Sequence, residues 1–233
     1  MDTRMHKWRI GATCEASVAA SRFSTTGYGR FYRWLLLCVI LLSFTGCSVS
    51  NRANWQQPER VVESLSVTEG AVIADIGSGD GYFTFRFADA TGPAGKVYAV
   101  DISATVLAKV AERAESESYS QVATVQAGPS DPMLPRPVDI VFVCNTYHHL
   151  TDRTDYFRNV KNYLSPGGRV AIIDFDDLPW WGNLMMRSHQ TAAATIREEM
   201  EQAGYYLVEE HDFLPYQNFL IFAVADSDRL ANK

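Results

Sequence analysis

Asp75-Ile76-Gly77-Ser78-Gly79-Asp80-Gly81-Tyr82-Phe83 places three glycines at alternate positions directly behind a short apolar run. Glycine at such a bend removes the Cβ that would hold a ligand off the backbone, and it permits φ > 0. A helix starting immediately beyond would point unpaired N–H groups and its positive dipole end at the bend, which favours a carboxylate or phosphate. Asp101 stands twenty residues after Gly81, at the end of the next apolar run. If the two runs are neighbouring parallel strands, their C-terminal ends share one edge, and Asp101 can accept hydrogen bonds from both hydroxyls of a ribose. The spacing D-x-G-x-G-x-G is not the G-x-G-x-x-G of a dinucleotide site. Asp75 is also unfavourable beside a pyrophosphate, whereas a sulfonium carrying an α-ammonium group would welcome it. Further along lie Asn145-Thr146-Tyr147-His148-His149-Leu150 and Asp174-Phe175-Asp176-Asp177.

These residues need a scaffold that brings strand ends together. From Pro58 onward the apolar pattern switches between short β-rich runs and longer stretches of 3.6 period, which specifies an α/β fold with a mostly parallel sheet and helices on both faces. Strands are expected at 72–76, 96–101, 122–126, 139–144, 169–174, 206–213 and 218–225, and helices at 58–65, 83–90, 104–117, 152–164 and 189–203. Thr91-Gly92-Pro93, Ser165-Pro166-Gly167-Gly168 and Gly204 are the expected helix stops. Only Leu214-Pro215-Tyr216-Gln217 separates the last two strands, too few residues for a helical crossover, so they must form an antiparallel hairpin.

With that order of elements the glycine loop resembles the cofactor motif of class I S-adenosylmethionine-dependent methyltransferases, with a doubly wound, Rossmann-like sheet of seven strands. Val97-Tyr98-Ala99-Val100-Asp101-Ile102, Val138-Asp139-Ile140-Val141-Phe142 and Leu164-Ser165-Pro166-Gly167-Gly168-Arg169 are similar to the same family in order and spacing. The likeness runs over about residues 58–225 and is nearest to the small-molecule, ubiquinone-biosynthesis-like subgroup. It implies S-adenosylmethionine as cofactor, with Gly77, Ser78, Gly79 and Gly81 along its methionine portion and Asp75 near its amino group. Asp101 would hold the ribose, Ile102 would pack on the adenine, and Asn145 would approach through its backbone. Family members commonly carry an Asp soon after the third strand for the adenine amino group. Here the segment is Gln126-Ala127-Gly128-Pro129-Ser130-Asp131, so either Asp131 reaches the adenine or Gly128 offers backbone alone.

Methyl transfer is an in-line displacement at an activated sulfonium, so the protein supplies position, exclusion of water and sometimes a base. The acceptor then sits beyond the ends of the fourth and fifth strands. His148 is the preferred base candidate, since neutral imidazole takes a proton from a hydroxyl or amine near pH 7; a packing or capping role is the alternative. Tyr147 either orients the acceptor or packs as a buried aromatic. Asp174 and Asp176 with Asn145 are similar to the oxygen ligands of magnesium-dependent catechol-type enzymes, yet no acid ends the fourth strand, and no metal is expected. His189 and His211 read as packing or surface histidines. Arg52, Trp55, Gln56 and Pro58 fall where related enzymes place a lid, and Trp180-Trp181 with Met185-Met186 where they place substrate insertions. The absence of Asn-Pro-Pro-Tyr and Asp-Pro-Pro-Tyr argues against a nucleic-acid base as acceptor, which leaves a small molecule, in part apolar.

Charge agrees. Six Lys/Arg and two Asp/Glu fall in residues 1–46, which leaves 15 basic and 25 acidic side chains in residues 47–233. Such a surface repels phosphate backbones, so nucleic acid is not an expected partner. The apolar residues 34–44, broken only by Ser43, would rise about 16 Å as a helix, short of the roughly 30 Å hydrocarbon core. With Arg30 and Arg33 upstream and Leu42-Ser43-Phe44-Thr45-Gly46-Cys47 behind, the segment resembles a bacterial lipoprotein signal, with Cys47 as the lipidated residue and Ser48 following. The expected organisation is a signal over residues 1–47, a tether and lid over 48–57, and the catalytic domain over 58–233. A membrane-anchored periplasmic location is the expectation and a cytoplasmic one the alternative. Two rival functions remain at this point: a catalytically silent nucleoside-binding module on the same fold, and a nicotinamide oxidoreductase.

Overall fold

The computed structural model describes residues 52–176 and 189–225, all within a compact unit spanning Ser48–Lys233. The signal-like segment with Cys47, and the Trp180-Trp181 and Met185-Met186 pairs, lie outside the described residues. No helix among the described residues is long and apolar enough to cross a membrane.

Helices α1 (Arg52–Gln56) and α2 (Pro58–Ser64) precede an alternating series: β1 (Val72–Ile76), α3 (Thr84–Thr91), β2 (Lys96–Asp101), α4 (Ala104–Ser116), β3 (Val122–Gln126) and β4 (Val138–Cys144). Then come α5 (Arg153–Val160), β5 (Leu164–Phe175), α6 (Ala193–Gln202), β6 (Tyr205–His211) and β7 (Gln217–Val224). The seven strands form one sheet in the order β3-β2-β1-β4-β5-β7-β6, parallel except where β7 runs antiparallel to β5 and β6. This is the expected doubly wound, Rossmann-like architecture with its C-terminal hairpin. The order reverses between β1 and β4, and a doubly wound sheet opens its ligand crevice outside the carboxyl ends at that switch point.

Alternation along the central strands divides the core between the two faces. Ile73, Val97, Ile140 and Phe142 pack with Val61 of α2 and Phe87 of α3. Ala74, Ile76, Val141, Val143 and Ile172 pack with Phe157 of α5 and Ile196 of α6. Helix α4 has a true N-cap, the Ser103 side chain accepting from the Val106 N–H, and it buries Leu107, Val110 and Ala114 against Phe85 and Ala99. Gly204 takes φ 88° just past α6, as a C′ glycine should.

Three boundaries differ from expectation by four residues or more. The helix expected to run to 164 ends at Val160, a single 3-10 turn covers Lys161–Tyr163, and β5 begins at Leu164 rather than at 169. Leu164 already pairs with Val138, and the register slips before Arg169 pairs with Ile140, so Ser165–Gly168 bulge within the strand. The helix expected from 189 starts at Ala193, because the Thr191 N–H donates to the Phe175 carbonyl at 2.9 Å and holds residues 189–191 against the end of β5. Part of the expected tether is helix α1, whose Trp55 meets Phe175 at a ring-centroid distance of 5.7 Å and whose buried Gln56 donates to the Cys144 Sγ at 2.9 Å.

Candidate active site

The glycine loop runs from the end of β1 into α3 with Gly77, Gly79 and Gly81 at φ 74°, 54° and 81°. Each has a different reason for lacking a side chain. A Cβ on Gly77 would lie 2.0 Å from the Thr146 Oγ1, and one on Gly81 would lie 2.7 Å from the Phe85 ring. A Cβ on Gly79 would meet nothing within 4 Å, so the open side of the loop is there. Beside it, Ser78 is buried and its Oγ has no hydrogen-bond partner among the described residues, an unusual state for a buried hydroxyl unless a ligand supplies the partner.

Asp101 at the end of β2 faces this loop. Its Oδ2 accepts from the Gly79 N–H at 3.2 Å and its Oδ1 from the Ser103 N–H at 2.9 Å. Ile102 is 70% exposed, an apolar surface awaiting cover. Gly77, Asp101, Ile102 and Gly128 line a common crevice of about 640 Å³, whose far wall is formed by Thr146, His149 and Leu150. That volume falls within the range of small-ligand sites. Asn145 (φ 54°) stands at the end of β4, its N–H donating to the Ile173 carbonyl and its side-chain oxygen accepting from Gln217 at 2.5 Å.

Four expectations need correction or refinement. Asp75 shares the face of β1 occupied by Ile73, so its carboxylate points beneath the loop, is 3% exposed and accepts from the Thr84 hydroxyl at 2.6 Å. Asp131 is spent on the Met133 N–H, Asn159 and Tyr163 at 2.7–2.8 Å, and of the two it is Gly128 that lines the crevice. Tyr147 is fully buried, stacked on Phe157, with its hydroxyl donated to Glu199 at 2.7 Å, and it cannot touch an acceptor. His148 is nearly enclosed, its side chain 5% exposed; Nδ1–H donates to the Asp174 Oδ1 at 2.7 Å and Nε2 faces the His189 Nδ1 at 3.2 Å. Its neighbour His149, the less favoured of the two histidines from sequence, is the one that lines the crevice. Asp174 also accepts from the His148 N–H at 3.1 Å, so both of its oxygens hold His148.

The electrostatics follow from burial. Desolvation pushes the Asp75 carboxyl from 3.8 up to about 6, against the Thr84 hydrogen bond and the Arg52 charge, which pull it down. A carboxyl whose folded value is raised binds its proton more tightly when folded, so its contribution is greatest below pH 3.8 and is lost as pH rises through 6. Asp75→Asn should therefore raise stability at pH 7.5 by about 2–3 kcal/mol and leave it unchanged near pH 3.5. Urea unfolding of both proteins at the two pH values checks this, and equal stability at pH 7.5 would refute it. Burial likewise raises the Asp174 carboxyl, opposed by its bonds to His148. Desolvation, with the His148 and His189 rings nearby, holds His149 below the ordinary imidazole value.

Residues 67–218 match the methyltransferase-domain family. The chain belongs to this family. S-adenosylmethionine is the cofactor of the enzyme, and the open glycine loop, the unpartnered Ser78 hydroxyl and the carboxylate of Asp101 fit its amino-acid tail and ribose. The methyltransferase is 29% identical over 184 residues to the ubiquinone/menaquinone biosynthesis C-methyltransferase UbiE of Hahella chejuensis, covering 65% of this chain and 73% of that one. It is 28% identical to the erythromycin 3''-O-methyltransferase of Saccharopolyspora erythraea over 55% of this chain and 42% of the relative. The phosphoethanolamine N-methyltransferase 1 of Arabidopsis thaliana is 28% identical over 68% of this chain, which spans 29% of that protein. A methyltransferase of Aquifex aeolicus shares the fold at TM-score 0.65 and 20% identity, over 75% of this chain and 94% of the other. The magnesium protoporphyrin IX methyltransferase of Synechocystis, solved with S-adenosylhomocysteine, follows at TM-score 0.58 and 16% identity, over 74% and 84%. Neither rival function is favoured by these likenesses.

Proposed function

We propose that this methyltransferase methylates a small, partly apolar molecule held over the ends of β4 and β5. The observation that carries the proposal is the single crevice running from Asp101 and Ile102 to Thr146, His149 and Leu150, which joins a nucleoside-binding edge to a histidine-bearing edge. When bound, S-adenosylmethionine supplies a methyl group already activated on sulfur. The chain has to hold both molecules, keep water out and accept or relay a proton. Asp101 and the Gly77–Gly81 loop hold, α1 covers the strand ends through Trp55 and Gln56, and His149 offers an unprotonated nitrogen beside Leu150 and Tyr156.

The named relatives support a small acceptor without choosing its atom, since they are a C-, an O- and an N-methyltransferase. The acidic surface supports it too, because it opposes docking of a phosphate backbone. Incubation with methyl-labelled S-adenosylmethionine and an extract of small metabolites and lipids should move label into a compound of low mass. Asp101→Ala should abolish the transfer. Label recovered only in macromolecules, or equal transfer by the variant, would overturn the proposal.

A further inference from the structure

We propose that His148, His149 and His189 bind a divalent transition-metal ion at the edge of the crevice, with Asp174 positioning His148. One ligand nitrogen from each of the three rings lies within 4.8 Å of the others. The rings meet at centroid distances of 4.1, 5.1 and 5.3 Å. The two better-buried members already stand at ligand spacing: the His148 Nε2 and the His189 Nδ1 are 3.2 Å apart. Two nitrogens at about 2.05 Å from a tetrahedral ion are separated by about 3.3 Å. The third, His149, is exposed, and one of its ring nitrogens lies within 4.8 Å of the other two ligand atoms.

Protonation favours the same reading. A carboxylate only accepts, so the His148 Nδ1 carries the hydrogen given to Asp174, and the lone pair is left on the Nε2 that faces His189. This carboxylate–histidine arrangement orients a metal-ligating imidazole and raises its basicity. Asp174 is fully buried and is not itself a ligand; it holds His148 through both the ring and the backbone N–H. Without a metal, the His189 Nδ1–H donates to the His148 Nε2; metal binding replaces that hydrogen bond with two coordinate bonds, and the neutral His189 ring then carries its hydrogen on Nε2. Three imidazoles suit zinc, copper, iron or nickel and not magnesium, and three protein ligands leave a fourth position open. His149 also lines the crevice, so that position adjoins the acceptor space.

The test is metal binding by the full chain without S-adenosylmethionine, so its outcome is independent of methyl transfer. Chelator-stripped protein is titrated with zinc against a chromophoric competitor, and cobalt(II) is added separately to record its visible spectrum. The expected result is one zinc per chain, weakened at least a hundredfold by His149→Ala or His189→Ala and about ten- to a hundredfold by Asp174→Asn. His211→Ala should change nothing, since His211 lies apart, beside Glu209. Cobalt should show tetrahedral bands without thiolate charge transfer, which separates this site from the chain's four cysteines. Far-UV circular dichroism confirms that each variant is folded. Folded wild type that binds no zinc, or binding unchanged in His149→Ala and His189→Ala, overturns the proposal.

Discussion

Replacing Asp101 with alanine should weaken S-adenosylhomocysteine binding about 100- to 1,000-fold, measured by titration calorimetry. The side chain has two duties. It closes the glycine loop by accepting from the Gly79 N–H and squares the start of α4 by accepting from the Ser103 N–H. Among the described residues it is also the only carboxylate lining the crevice, the one set against a sugar diol. Hydrogen bonds to a charged group contribute roughly 1.5–3 kcal/mol each, so losing two amounts to about 3–4 kcal/mol once partial solvation of the edge is allowed for. Asp101→Asn keeps one acceptor oxygen and should fall between the two. Wild-type affinity in a folded Asp101→Ala protein would remove Asp101 from the site.

The glycines two residues apart should fail in opposite ways. Gly77→Ala drives a methyl into the Thr146 side chain at φ 74°, so the cost falls on the fold: about 2–4 kcal/mol, or a fall in Tm of roughly 5–15 °C. Gly79→Ala meets no protein atom within 4 Å, so it should cost only about 1 kcal/mol of stability, from its φ of 54°. With the amino-acid tail laid over Gly79, as proposed, the added methyl competes for that open space, and affinity for S-adenosylhomocysteine should fall at least tenfold. Thermal melts and calorimetry on both variants decide the matter. If Gly79→Ala were the less stable protein and still bound normally, the open side of the loop would have been misplaced.

How far the sequence could be read depended on whether an interaction is local. The strands at 72–76, 96–101 and 122–126 were legible to the residue, because each is a short β-rich run whose last residue or next neighbours are charged, polar or glycine. The start of β5 was not, because Leu164 joins the sheet by pairing with Val138, and no local pattern announces a bulge over 165–168. The buried place of Asp75 was available in principle, since alternation puts it on the face of Ile73. Tyr147 was undecidable without Glu199, which arrives from α6, 52 residues away. The histidine cluster had no signature at all: His189 is set beside His148 by the Thr191–Phe175 backbone bond, a contact between elements.

The placement of the cofactor in the crevice lined by Gly77, Asp101, Ile102 and Gly128 is tested most directly by a crystal structure with S-adenosylhomocysteine. The account predicts a ribose on the Asp101 carboxylate, the adenine against Ile102, and the amino-acid tail over Gly79 within reach of the Ser78 hydroxyl. By-product bound elsewhere while this crevice stays filled with solvent would contradict it.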